Sequence, residues 1–308
     1  MNPESSFSEK IIMDMQNGKS LLMTFGEPGR ALKRKMMITG IICRFILFSV
    51  FNPVFLLRVR FSPELWQKRK IKAIRFIRRF FPFDVIGKKV IPSKHGQIVV
   101  INHPTLNDPI CGMLYALDIY PEREVVVPMN LPWFESVSKY RQKMLKIGIN
   151  FVPILTPETA KRLGTDKYVS QVQSVLISNY TNEFAKAMAN GGLAVVAQQA
   201  TRRRYIFKDK VQSESGEGIL STISLVLAGL RRVGLLEQAC LIPVGVIPPN
   251  FQTKSKLNPF KKYTLNVGEP IFASDLAAVK NPAKRPADLY ILQQLMELVP
   301  EEYHFEFT

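Results

Sequence analysis

The chain has 308 residues, 46% hydrophobic and 22% charged, which is long enough to bury a full core and too apolar to stay disordered over most of its length. Its 42 Lys and Arg against 25 Asp and Glu leave a formal charge of +17, favouring a polyanionic partner, either phospholipid headgroups or nucleic acid. Three cysteines without paired spacing (Cys43, Cys111, Cys240) and three histidines far apart in sequence (His95, His103, His304) argue against a disulfide framework, a thiolate metal site or a zinc enzyme. No metal or cofactor is expected.

Residues 1–32 form a polar N-terminal segment. They carry no basic stretch running directly into an apolar one, so no cleaved signal peptide is predicted. Residues 33–90 are expected to associate with a membrane. Lys33-Arg34-Lys35 leads into an apolar stretch from Met36 to Leu57 that is long enough to span a bilayer. Arg44 inside it, Pro53 near its end and basic residues on both flanks point instead to an embedded or interfacial element. From Trp66 to Phe81 the positions Ile71, Ile74, Ile77 and Phe81 recur three or four apart among Lys and Arg, the pattern of a basic amphipathic helix. Twelve Lys or Arg lie between Arg58 and Lys94 against two acids, Glu64 and Asp84, so anionic lipid would add to apolar insertion. An ordinary surface helix with a solvated charged face is the alternative for this stretch.

Residues 91–308 read as an α/β domain, a single sheet flanked by helices. Strands are predicted at Gln97–Ile101, Glu124–Val127, Ile149–Ile154, Leu193–Ala197, Cys240–Ile247 and Tyr263–Val267. Helices are predicted near 107–118, 131–146, 168–189, 218–232 and 283–298. Pro243 inside a strand run suggests an edge strand or a strand end.

The run Asn102-His103-Pro-Thr-Leu-Asn-Asp108 lies at a strand-to-helix junction, where α/β proteins place functional groups. A neutral imidazole at position 103 can take a proton from an attacking hydroxyl, and a carboxylate at 108 is close enough in sequence to fold back and orient it. The competing reading makes Asp108 a helix cap and His103 a satisfied loop histidine.

The same residues resemble the first motif, Asn-His-x4-Asp, of the glycerolphosphate and lysophosphatidic acid acyltransferases. The apolar strand before it and the membrane-associating region at 33–81 also resemble that family, as do the proline-ended strand Leu241–Pro248 and Val-Gly-Glu-Pro-Ile at 267–271. By the order of motifs the resemblance covers roughly residues 35–275. Two motifs depart from it. Where the family has Phe-Pro-Glu-Gly-Thr-Arg, this chain has Ala197-Gln198-Gln199-Ala200-Thr201-Arg202, so the glutamate and glycine are absent. Its second motif, matched by residues 148–154, has isoleucine where the family usually has arginine.

The resemblance implies an O-acyltransferase of phospholipid biosynthesis, membrane-associated on the cytoplasmic face. It would move a fatty acyl group from acyl-CoA or acyl-carrier protein to a hydroxyl of glycerol 3-phosphate or a lysophospholipid. His103 would be the general base and Asp108 its orienting partner, with Asn102, Gln199, Thr201, Arg202 and Arg203 as substrate contacts. Guanidinium forks at 202–204 suit an acceptor's phosphate, although a basic run also suits a merely lipid-facing or solvated surface. The altered second and third motifs leave a non-catalytic lipid-binding protein of the same ancestry as the alternative. Nucleic acid is not an expected partner, because the apolar run from Met36 does not suit a soluble nucleic-acid binder, even though Trp66, Phe76 and Phe80 interleave with basic residues.

Overall fold

A computed structural model describes residues 3–16, 63–87, 96–103, 108–137, 144–145, 148–163, 167–198, 222–249, 261–279 and 286–301. Among them the strands are β1 (Phe83–Gly87), β2 (Gly96–Ile101), β3 (Val125–Asn130), β4 (Ile149–Ile154), β5 (Leu193–Ala197), β6 (Ala239–Ile247), β7 (Tyr263–Val267) and β8 (Ile271–Phe272). The helices are α1 (Pro3–Gln16), α2 (Pro63–Phe80), α3 (Asp108–Ile119), α4 (Leu131–Val137), α5 (Pro157–Leu163), α6 (Lys167–Ala189), α7 (Thr222–Arg232), α8 (Ala273–Ala277) and α9 (Pro286–Glu297). The strands form one mixed sheet in the order β1-β7-β6-β2-β5-β3-β4, with β8 beside β6. The α/β class with one helix-flanked sheet is therefore as the sequence predicts.

β2 is buried along its whole length, as a strand covered on both faces must be. It runs parallel to β5, with Ile98 opposite Ala194 and Ile101 opposite Ala197, and parallel to β6, with Ile101 opposite Val244. Gly112 of α3 approaches one face so closely that a Cβ there would lie 3.2 Å from both the Ile101 and Val195 side chains. Gly245 of β6 points to the other face, where a Cβ would meet the Leu298 carbonyl oxygen at 2.6 Å, just past α9. Thus α3 covers one face of the central strands and α9 the other.

Pro243 is neither at an edge nor at a strand end, contrary to the sequence expectation: β6 runs between β2 and β7. Its carbonyl accepts from the Gly268 amide at 2.9 Å, which sets the side that its missing N–H would face. There Cys240 and Leu241 pair with β8, and the β7 ladder starts only at Val244. Proline occupies the gap between two partners, so no ladder bond is lost.

Two compact units are drawn from the chain, one from Met1–Lys70 and Pro128–Tyr180, the other from Ile71–Val127 and Thr181–Thr308. In the first, Ile11 and Met15 of α1 join Leu131 and Phe134 of α4 and Val169, Val172 and Leu176 of α6 in an apolar cluster. In the second, Arg78 of α2 forms an ion pair with Asp118 of α3 and stacks over the Phe83 ring at 4.5 Å.

The helix predicted over 66–81 is α2, and its apolar positions Ile74 and Phe80 are buried, with Phe81 just beyond also buried. The stripe positions Ile71 and Ile77 are half-buried, while Lys72, Arg75 and Arg79 face solvent. No helix among the described residues is long and apolar enough to cross a membrane. The apolar stretch Met36–Leu57 lies outside the described residues.

Candidate active site at the carboxyl edge of the sheet

The chain leaving β2 travels through α3 to β3, on the far side of β5, whereas the chain leaving β5 travels through α7 to β6, on the far side of β2. Adjacent parallel strands whose connections depart in opposite directions define a topological switch point, and open α/β sheets bind ligands outside the carboxyl ends of such strands. β2 ends at Ile101 and β5 at Ala197. Asn102-His103 and Gln198 are thus the first residues beyond the two strands at that edge.

Asn102 is 3% exposed, and its amide is occupied by the backbone of β6. Its Nδ2 donates to the Val246 carbonyl at 3.1 Å, and its Oδ1 accepts from the Val246 amide at 2.6 Å. The side chain copies a peptide group and extends the β2–β6 pairing past the strand's end. Asn102 therefore positions the backbone that carries His103. On the other side of β2, the Gln198 amide donates to the Ile101 carbonyl at 3.1 Å. With both flanks of Ile101–Asn102 tied down, the half-buried His103 leaves the sheet from a fixed point.

Asp108 supplies the first residue of α3, and Pro109 follows in the first turn, where its missing N–H costs no helical bond. The Asp108 side chain lies outside the described residues, as do Gln199, Thr201, Arg202 and Arg203.

Gln198 was not among the expected site residues, yet it organises this edge. Alternation along β5 turns it to the α9 face, where it is 1% exposed. Its Nε2 donates to Asp288 Oδ1 at 3.1 Å, and its carbonyl accepts from the Thr222 hydroxyl at 3.0 Å. Asp288 of α9 is wholly buried and caps α7: its carboxylate accepts from the Ile223 amide at 2.7 Å, the Ser224 amide at 3.0 Å and the Ser224 hydroxyl. Negative charge against the first turn of a helix is stabilised by the unpaired amides and the helix dipole. The Gln198 Oε1 has no hydrogen-bond partner among the described residues. The available signal in the sequence was a glutamine on the helix-facing side of an otherwise apolar strand.

Residues 149–154 form β4, and Ile154 at its end is half-buried. Just after it, in the first unit, Thr156 and Thr159 hydroxyls share a hydrogen bond at 3.0 Å, and Asn130 Nδ2 donates to Thr159 at 2.8 Å. This neutral cluster closes the ends of β3 and β4 without adding charge. Behind the edge, burial pushes the Cys240 thiol up to about 11 and the Tyr115 hydroxyl, with a smaller contribution from Tyr120, up to about 12. Both remain protonated at neutral pH and act as core side chains. No group of three His, Cys, Asp or Glu that could hold a metal stands together among the described residues.

No family model matches the chain, and no curated protein matches it in sequence.

Proposed function

We propose that this chain is an O-acyltransferase that moves a fatty acyl group from an acyl thioester to a hydroxyl of glycerol 3-phosphate or a lysophospholipid. The observation that carries the proposal is the position of His103, the second residue beyond a buried central strand at the switch point of the sheet, on a backbone pinned by Asn102 and Gln198.

His103 takes the proton of the acceptor hydroxyl as that oxygen attacks the thioester carbonyl. The tetrahedral intermediate collapses with cleavage of the C–S bond, and the departing sulfur takes the proton from the imidazolium. An ester and a free thiol result, and no acyl-enzyme is needed. Asp108 holds the imidazole in its productive tautomer, and backbone amides at the start of α3 stabilise the oxyanion. Thr201 and Arg202, with Gln199 and Arg203, hold the acceptor's phosphate.

The test is a mass-spectrometric product assay. The full chain is offered acyl-CoA and acyl-carrier protein together with glycerol 3-phosphate, lysophospholipids and glycosylated lipid acceptors. An acylated glycerol phosphate or phospholipid with stoichiometric thiol release is the expected result. The replacement of the third motif's Glu and Gly by Gln199 and Ala200 favours a second reading, a lipid-binding protein without catalysis. Saturable lysophospholipid binding with no thioester consumed would select that reading.

A further inference from the structure

We infer that the solvent face of α2 is a docking ridge for the headgroups of an anionic phospholipid bilayer, one that engages the surface by charge and does not insert. This does not depend on acyl transfer. Lys72, Arg75 and Arg79 are all exposed, and at 3.6 residues per turn they fall within an arc of about 60° extending about 10 Å along the helix axis. None of the three makes an ion pair among the described residues, whereas Arg78, on a neighbouring face, is engaged by Asp118 and Phe83. On the opposite side Ile74 and Phe80 are buried, and Ile71, Phe76 and Ile77 are half-buried, so among the described side chains of α2 no large apolar one is exposed for insertion. The helix presents to solvent a straight row of cations.

Two observations choose a bilayer over a nucleic acid as the occupant. Single-stranded nucleic acid is gripped by aromatic platforms among the cations, but Phe76 packs edge-on against Phe80 with ring centroids 5.1 Å apart, and Phe80 is buried. The aromatic side chains of this part of the helix are occupied internally. The second observation is covalent reach. The apolar stretch that ends at Leu57 is six residues from Pro63, where α2 begins, so whatever surface the stretch meets lies within about 20 Å of the helix. A bilayer satisfies both the apolar stretch and the cation row.

The experiment is vesicle co-sedimentation of the full chain at low salt, with neutral phosphatidylcholine vesicles and with vesicles containing phosphatidylserine. Each basic residue at an anionic surface contributes about fivefold to partitioning, so K72Q/R75Q/R79Q should weaken binding to the anionic vesicles by about 10²-fold. Binding to neutral vesicles should not change. R231Q/R232Q, which removes exposed cations from α7, separates the ridge from the general +17 charge and should cost less than tenfold. All three ridge positions are exposed, and equal thermal melts of variant and wild type show that folding is retained. Wild-type partitioning by the ridge variant would overturn the inference, as would an equal loss per charge from the α7 variant. Tighter binding of a single-stranded oligonucleotide than of anionic vesicles in the same buffer would overturn it as well.

Discussion

At the scale of single residues, two side chains govern how the candidate base is held and how the core responds to pH. Asn102 satisfies both a buried N–H and a buried C=O of Val246. Asn102→Leu keeps the volume and removes both bonds, leaving two desolvated backbone groups. The expected cost is about 3 kcal/mol in urea unfolding, because an unmade buried bond costs more than a made one contributes. Tyr115 is the converse case, a buried hydroxyl with no partner among the described residues. Tyr115→Phe should leave stability at neutral pH unchanged or raise it by up to about 1 kcal/mol. The pH dependence has a definite sign. In the unfolded chain Cys240 and Tyr115 titrate near 9 and 10, and burial moves them to about 11 and about 12 in the folded chain. Between pH 9 and 12 the unfolded state therefore binds fewer protons, so stability is intact below 9 and falls as pH rises through that window. Tyr115→Phe should flatten the upper part of the fall in unfolding free energy measured against pH. A curve identical to wild type would show that Tyr115 does not contribute.

At the scale of elements, the site edge depends on a helix that never appears in the motif. α7 starts on the Asp288 carboxylate of α9 and is tied to β5 through Gln198 and Thr222. Asp288→Ala removes the cap and leaves the Gln198 amide only the Asp288 backbone carbonyl at 3.4 Å, and should lower unfolding free energy by about 3 kcal/mol. Asp288→Asn keeps one acceptor and should cost less, and equal losses from the two would mean that the charge and not the cap matters. These couplings were not legible in the chain, since Asn102 meets its partner 144 residues away and Gln198 its partner 90 residues away. What was legible is local. The β-branched runs of β2, β4, β5, β6 and β7 emerged within a residue of their expected bounds, and α6 opens one residue before its predicted start at 168. β3 runs on to Asn130, past its expected end at Val127. The short edge strand β1 escaped notice because Phe-Asp-Val-Ile-Gly has too few residues to show alternation, and its pairing with β7 joins Phe83 to Tyr263. α1, α5, α8 and β8 were missed as well, and the helix expected over 131–146 is described only at 131–137 and 144–145. On α2 the periodicity was correctly read, but period alone does not say whether the apolar stripe meets lipid or protein. Here Ile74, Phe80 and Phe81 are buried in the protein, and Ile71 and Ile77 are half-buried.

At the scale of the whole molecule, sheet order supplies what motif spacing could not. His-x4-Asp alone is equally a capped helix after a loop histidine. Sheet order adds that Asn102-His103 follow β2 and Gln198 follows β5, two adjacent parallel strands that define one switch point. The proposed chemistry is supported by the place of His103 at that switch point, and the proposed acceptor by the sequence Gln199, Thr201, Arg202 and Arg203 alone. The central claim is that His103 is the base. The measurement that tests it most directly is the rate of acyl transfer by His103→Ala from the thioester to the acceptor that the product assay identifies, at a temperature where its melt matches wild type. The expected result is a loss of about 10²- to 10⁴-fold, the usual contribution of a positioned general base. Undiminished transfer by the folded variant would contradict it.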